Sequence, residues 1–257
     1  MTMRYVRPCT PIAPMLREPR ASATQVSQIL YGHAAEVLEN EAAWQKVRSA
    51  DGYEGWVHEG YTTPATPSLP GEWGWAATGE LSLGCSIRNA AGATIDLPLG
   101  ALLGEERPVS GRCMNLSTRR DVFPADADAI VSSALGLFQG TYYQWGGITP
   151  WGADCSGMVQ SVFALHGVRL LRDSSQQATQ GAHVEEGLDE LRPADLLFFS
   201  DREDGRITHV ALAISSSRIV HIALSRGGHR TESLSRIDDY VSVLLTRFRF
   251  ARRIVGN

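Results

Sequence analysis

The sequence predicts an α+β chain, on three observations. The first 118 residues break into short apolar runs divided by polar or glycine turns; two helical stripes follow from about residue 119; strand-like runs come after those. Helices first and antiparallel strands after is the α+β order. At roughly 100–200 residues per domain, 257 residues make two domains, or one large domain with additions.

Residues 1–65 are expected to form a small β-domain. Its short runs, Val26 to Leu30, Ala35 to Leu38, Trp44 to Val47 and Gly55 to Val57, suit a barrel of short strands. The segment TTPATPSLPGE, residues 62–72, reads as a linker, since Pro64, Pro67 and Pro70 each fix φ and remove a ladder donor. A second small β-domain is expected over 66–118, where IRNAAGATIDL places two runs around a glycine turn.

The α+β part covers 119–257. Asp126 can cap a helix carrying Ile130, Val131, Ala134, Leu135 and Phe138, with Gly140 as its stop. A second helix is expected over 155–166, with Met158, Val159, Val162 and Phe163 on one side and Gly167 at its end. Strands are expected at Leu196–Ser200, His209–Ser215, Arg218–Leu224 and Tyr240–Arg249.

Composition narrows function. A net charge of −4 without a basic stripe argues against nucleic-acid partners. No stretch of about 18 apolar residues offers a membrane span. Arg4 and Arg7 precede no apolar run, so the N-terminus does not read as a secretory signal, and the expected compartment is the cytoplasm. Cys9, Cys85, Cys113 and Cys155 form no C-x-x-C and no zinc-ligand spacing, so free thiols and no metal or other cofactor are expected.

The informative segment is YYQWGGITPWGADCSGMVQSVFALHG, residues 142–167. Cys155 falls in the first turn of a helix, where the dipole favours a thiolate. A lone cysteine is most often a structural thiol; the D-C-S-G setting behind Tyr143 and Trp-Gly-Gly favours a nucleophile instead. A nucleophilic cysteine needs a base, and the base an orienter. His209 and His221 lie on two strands flanking SSS and differ by an even number of positions. A hairpin centred on Ser216 opposes residues summing to 432, which makes the two imidazoles diagonal neighbours on one face. A turn centred between residues would separate them, so the pair predicts an odd-length turn or a bulge. A histidine acting as base also predicts an acidic limb of activity near its ordinary pKa of about 6.5.

Tyr143-x-Trp-Gly-Gly, Asp154-Cys155-Ser156-Gly157, Thr208-His209-Val210 and His221 together resemble the NlpC-type cell-wall cysteine peptidases, a papain-like family. LREP, LYG and GYEGWV, at 16–19, 30–32 and 52–57, resemble bacterial SH3-like domains. The resemblance implies a papain-like peptidase domain over 119–257, preceded by one or two SH3-like barrels. Within that family the chain resembles the γ-D-glutamyl-L-diamino-acid endopeptidases.

The resemblance implies Cys155 as nucleophile, His209 as general base, and His221 as its orienter. Tyr143 and the Cys155 N–H would hold the oxyanion. The implied partner is a murein peptide, L-Ala-γ-D-Glu-diamino acid, cleaved in cell-wall peptide recycling. Ser156 and Ser174 are candidates for the free α-carboxylate of D-Glu, and Asp154 for a further substrate contact or a helix cap. Asp173, 18 residues after the cysteine, is the candidate for the L-Ala ammonium. Glu18 and Tyr53 resemble the positions from which an SH3-like domain closes the groove; Glu36, Glu54, Glu59 and Tyr61 are neighbouring alternatives. Rival readings are a murein-binding SH3-like protein with a vestigial peptidase, and a thiol amidase or acyltransferase on the same scaffold. Whether the diamino acid is diaminopimelate or Lys, and the oligomeric state, are left open.

Bland roles are expected elsewhere. Asp195 reads as a turn residue. His33, His58, His166, His183 and His229 read as surface or packing residues, Trp73 and Trp75 as packing, and the arginines of RFRFARR as a solvated face.

Overall fold

The computed structural model describes residues 4–65, 79–89, 92–185, 187–235 and 238–256. The chain divides into two compact units, 1–122 with 145–149, and 123–144 with 150–257. Pro67, Pro70, Trp73 and Trp75 lie outside the described residues.

The first unit opens with a seven-stranded antiparallel sheet. Its strands are β1 (Arg4–Pro8), β2 (Ile12–Leu16), β3 (Gln25–Leu30), β4 (Ala35–Glu41), β5 (Trp44–Arg48), β6 (Glu54–His58) and β7 (Thr62–Ala65), in spatial order β3-β2-β6-β5-β4-β1-β7. Alternate residues point inward, so Val6, Ala13, Met15, Ile29, Ala35, Val47 and Val57 make one core. The strand β7 corrects the expected linker: Thr62–Ala65 pairs with β1, and Pro64 sits opposite Val6. Proline is tolerated there because β7 is the sheet edge, where a missing N–H leaves no ladder bond unmade.

A second sheet follows, of β8 (Glu80–Arg88), β9 (Thr94–Leu97), β10 (Leu102–Leu103) and β11 (Pro108–Asn115). Both β10 and β11 pair with β8, as does β9, whose Ile95 sits opposite Ile87 across the expected glycine turn. Cys85, Ile87, Leu97, Ala101 and Leu103 form its core. A single helical turn, α1 (Arg119–Val122), ends this unit's main segment.

The second unit begins with α2 (Ala127–Leu137), which Asp126 caps by accepting from Ala129 N–H at 3.0 Å. Two-residue strands β12 (Ile148–Thr149) and β13 (Gly152–Ala153) precede α3 (Cys155–Leu165) in the chain. Then come α4 (Ser174–Gln177), β14 (Ala182–His183), β15 (Leu196–Phe199), β16 (His209–Ser215), β17 (Arg218–Ala223), β18 (Gly228–Ser233), α5 (Asp239–Thr246) and β19 (Phe248–Arg253). The six strands make one antiparallel sheet, order β14-β19-β15-β16-β17-β18. Helix α3 packs on β16 and β17, and α2 packs on α3. Leu197, Phe199, Ala211, Ala213, Ile219 and Ala251 gather on one sheet face with Leu244 of α5.

Helix α5 corrects the strand expected at Tyr240–Arg249. VSVLL alternates, which reads as a strand. A strand would put Val241, Val243 and Leu245 on one face, yet Val243 is 49% exposed while Val241 and Leu244 are buried. Asp238 decides the matter locally: its carboxylate accepts from Val241 N–H at 2.8 Å and starts the helix. Of the arginines of RFRFARR, Arg247 and Arg249 are exposed as expected, and Arg252 and Arg253 are corrected. Arg253 forks onto the buried Asp195 at 2.7 and 2.9 Å, and Arg252 donates to the Ala178 carbonyl. Asp195 keeps its turn role as well, accepting from Arg192 N–H.

Candidate active site

Cys155 is the first residue of α3, and Asp154 is the N-cap, accepting from Gly157 N–H at 2.7 Å. The helix start is held by a buried ion pair. Arg172 donates to Asp154 Oδ1 at 3.0 Å and Oδ2 at 2.7 Å, and to Ser156 Oγ at 3.0 Å. The Ser156 hydroxyl in turn donates to Asp154 Oδ1, and Gln177 donates to the Ser156 carbonyl. These contacts favour the helix-cap reading of Asp154, with Ser156 in the same network. Ser174 is the first residue of α4 and is buried. Asp173 precedes it, and its N–H donates to Gln176 Oε1 at 3.0 Å.

The histidine hairpin has the expected parity. Leu212 opposes Val220 and Ala213 opposes Ile219, both summing to 432, and a bulge between Ala213 and Ser215 absorbs the turn. His209 and His221 therefore share a face, and Nε2 of His209 lies 3.0 Å from Nδ1 of His221. His209 is half-buried and His221 fully buried. The cysteine meets β16 at the residue after His209, for the Val210 N–H bonds the Cys155 sulfur, as does the Ser156 N–H.

Tyr143 is brought to this end of the sheet by backbone pairing. Tyr143 N–H donates to the Gly227 carbonyl at 3.1 Å, and His229 N–H donates to the Thr141 carbonyl at 2.8 Å. The approach requires glycine at 228, where φ is +151° and a Cβ would land on the Thr141 carbonyl oxygen. Burial first, then the charges of Cys155 and Asp154, push the Tyr143 phenol upward, so it stays a protonated donor.

The electrostatics differ from the expected thiolate. Burial, and then the Asp154 charge, push the Cys155 thiol up to about 12, against the backbone N–H groups and Arg172. Burial, then His221 and Arg247, push His209 down to about 3. The helix N-terminus is occupied by its own cap carboxylate, which offsets its pull on the sulfur. Both shifts favour the neutral thiol and the neutral imidazole.

This moves the expected acidic limb. A base whose folded pKa is depressed stays unprotonated well below pH 6.5. The limb of kcat/KM, which reports the free enzyme, is expected to lie at least one pH unit, roughly, below the ordinary histidine value. A pH profile measured from 4 to 8 checks it; half-maximal activity near pH 6.5 would contradict it.

Sequence reasoning missed Arg172, Glu232 and Arg226. Glu232 Oε1 lies 3.8 Å from His221 Nε2. Arg226 forks onto Glu232 at 2.8 and 3.2 Å and reaches Asp238 at 3.1 Å. In the strand GHRTES alternation sets His229, Thr231 and Ser233 on one face and Arg230 and Glu232 on the other, but no local pattern ties Glu232 to His221, and Arg172 and Arg226 lie outside that strand. Among the described residues no group of three or more His, Cys, Asp or Glu has metal-site geometry.

In the first unit, Glu18 is exposed and paired to Arg20 at 2.7 Å, which holds its carboxyl below the ordinary range. Tyr53 is half-buried against the first core. Of the histidines given bland roles, His33 bonds the Gly100 carbonyl, His58 caps Gly60 N–H, and His166 bonds Ser133. His183 stacks on Phe250, and His229 is buried.

Residues 140–243 match the NlpC/P60 family and residues 16–63 match the bacterial SH3 domain. The chain is 26% identical over 217 residues to a gamma-D-glutamyl-L-lysine dipeptidyl-peptidase of Bacillus subtilis, covering 76% of this chain and 71% of that protein. It is 27% identical over 257 aligned positions to dipeptidyl-peptidase 6 of Lysinibacillus sphaericus, covering 87% of this chain and 89% of that one. The crystal structure of an NlpC/P60 family protein from Bacillus cereus matches with a TM-score of 0.77 at 19% identity, over 98% of this chain and 100% of that one, which shows the fold.

Proposed function

We infer, on the premise that the chain carries an NlpC/P60 cysteine-peptidase domain and a bacterial SH3 domain, that it hydrolyses γ-D-glutamyl-L-diamino-acid bonds in short murein peptides with a free N-terminal L-Ala. The observation that carries this reading is the imidazole pair, 3.0 Å apart, at the strand whose Val210 N–H bonds the helix-start sulfur. The names of the two relatives above support the bond and the dipeptide product.

Cys155 Sγ attacks the γ-carbonyl carbon of D-Glu as its proton passes to His209. The oxyanion is met by the Cys155 N–H and the Tyr143 hydroxyl. His209 returns that proton to the leaving amine as the C–N bond breaks, which leaves a thioester on Cys155. Water, deprotonated by His209, attacks the thioester carbonyl; the C–S bond breaks, L-Ala-D-Glu leaves, and His209 returns the proton to the Cys155 sulfur. With the neutral pair favoured, thiol deprotonation and attack are coupled, rather than drawing on a standing thiolate.

Ser174 is assigned to the α-carboxylate, and Asp173 to the L-Ala ammonium. Asp154 and Ser156 act through the Arg172 network, holding the helix start. A peptidase that demands a free amine acts on peptides already cut from glycan, which fits recycling in the cytoplasm.

N-acetylation of the tripeptide removes the charge that Asp173 would bind. A site built to bind a group rejects the analogue lacking it, so kcat/KM is expected to fall by at least about 100-fold. Steady-state kinetics on the paired peptides checks this. Equal cleavage would keep the peptidase and remove amine selection, together with the role of Asp173.

A further inference from the structure

We propose that Glu232 is a positioning residue for this reaction: its carboxylate engages the Nε2–H of His221 and so fixes the tautomers of both imidazoles. The proposal rests on the Cys155/His209 reading above. In the β17–β18 ladder His221 opposes Arg230 and Ile219 opposes Glu232, so Glu232 shares the face of His221 and is its diagonal neighbour. His221 is fully buried, and among the described residues its Nε2 makes no hydrogen bond. Glu232 Oε1, at 3.8 Å, is the acceptor placed to serve it.

The carboxylate is itself held in place. Arg226 grips both of its oxygens and lies 4.0 Å over the Tyr240 ring. The His221 imidazole and then the Arg226 guanidinium hold the Glu232 carboxyl below its ordinary range, which keeps it ionised. An ionised carboxylate only accepts, so the proposed engagement places the proton of His221 on Nε2.

The consequence runs along the chain of contacts. With its proton on Nε2, His221 presents a bare Nδ1, which can only accept. The 3.0 Å contact is then donated by His209 Nε2–H. That leaves the lone pair of His209 on Nδ1, the nitrogen that takes the thiol proton. In the reaction this proton moves from Cys155 to His209 Nδ1, and the electron pair it leaves on sulfur forms the C–S bond. His209 becomes a cation with both nitrogens protonated, and His221 and Glu232 neither gain nor lose a proton. The same proton then goes to the leaving amine. With the tautomers reversed, His209 would point an N–H at the thiol and could not act as base.

The charged and titratable groups around His221 are His209 on β16, Arg230, Glu232 and His229 on β18, Tyr240 on α5, and Arg226; Arg247 acts on His209. Ring-nitrogen correlation spectra of the uniformly 15N-labelled full chain read the tautomers directly, whether or not the peptide is cleaved. The proposal expects Nε2–H on both His209 and His221 at pH 7. An Nδ1–H on His221 in the unaltered protein overturns it without any variant. In Glu232→Gln the His221 tautomer is expected to become mixed and kcat to fall about 10- to 100-fold with KM little changed, short of the about 10⁴ that an amide costs directly behind a catalytic imidazole. Glu232→Asp, which keeps the charge, is expected to restore the Nε2–H tautomer and most of kcat. Lost activity with unchanged tautomers would make Glu232 merely structural and overturn the proposal. Correct tautomers with no cleavage of the tripeptide would retire the substrate reading and leave the positioning role standing.

Discussion

A Cys155→Ala protein is expected to lose at least about 10⁴ of kcat/KM on the tripeptide, because no other group can form the thioester. The remaining cysteines, Cys9, Cys85 and Cys113, lie on the strands and loops of the first unit. The loss is expected without unfolding. Cys155 is 7% exposed, and exchanging S–H for hydrogen removes one atom from a helix start whose hold is Asp154 and Arg172. Far-UV circular dichroism and a thermal melt beside the kinetics would separate lost chemistry from lost fold. Activity within tenfold of the parent protein, roughly, would remove the nucleophile assignment.

Arg172→Met is expected to destabilise the second unit by about 3–5 kcal/mol. Arg172 is 2% exposed and its partner Asp154 is 8% exposed. Removing the guanidinium takes both charged hydrogen bonds from a buried carboxylate, and breaking a buried pair costs far more than an exposed pair contributes. In a unit of this size that shift corresponds to a melting temperature lower by roughly 10 °C or more. Adding Asp154→Asn, which keeps an N-cap oxygen and removes the charge, is expected to recover much of the loss. Thermal and urea melts of the single and double variants check both parts. A single variant within about 1 kcal/mol of the parent would mean that water, not Arg172, carries the Asp154 charge.

Legibility of the chain followed the range of its interactions. Helices α2 and α3 could be read because their caps, stripes and terminal glycines are local signals: Asp126 and Asp154 stand one residue before the first helical residue. The imidazole pair was legible because a hairpin converts sequence parity into a shared face. Helix α5 was not, since VSVLL fits either period, and the competing cue was the single cap residue Asp238. Strand β7 was hidden by Pro64, whose cost disappears only at an edge that the distant partner β1 defines. Arg172 and Glu232 were not legible at all. Arg172 meets Asp154 across 18 residues, and Glu232 reaches His221 through the β17–β18 register. The thiol is also pushed up by tertiary burial and by the Asp154 charge, neither of which the local helix-start signal carries.

The most direct test of the central claim is mass spectrometry of products after incubating the purified chain with L-Ala-γ-D-Glu-meso-diaminopimelate. The account predicts release of L-Ala-D-Glu and free diaminopimelate by the intact protein, and neither product with Cys155→Ala. Cleavage at another bond, or the same products from Cys155→Ala, would contradict it.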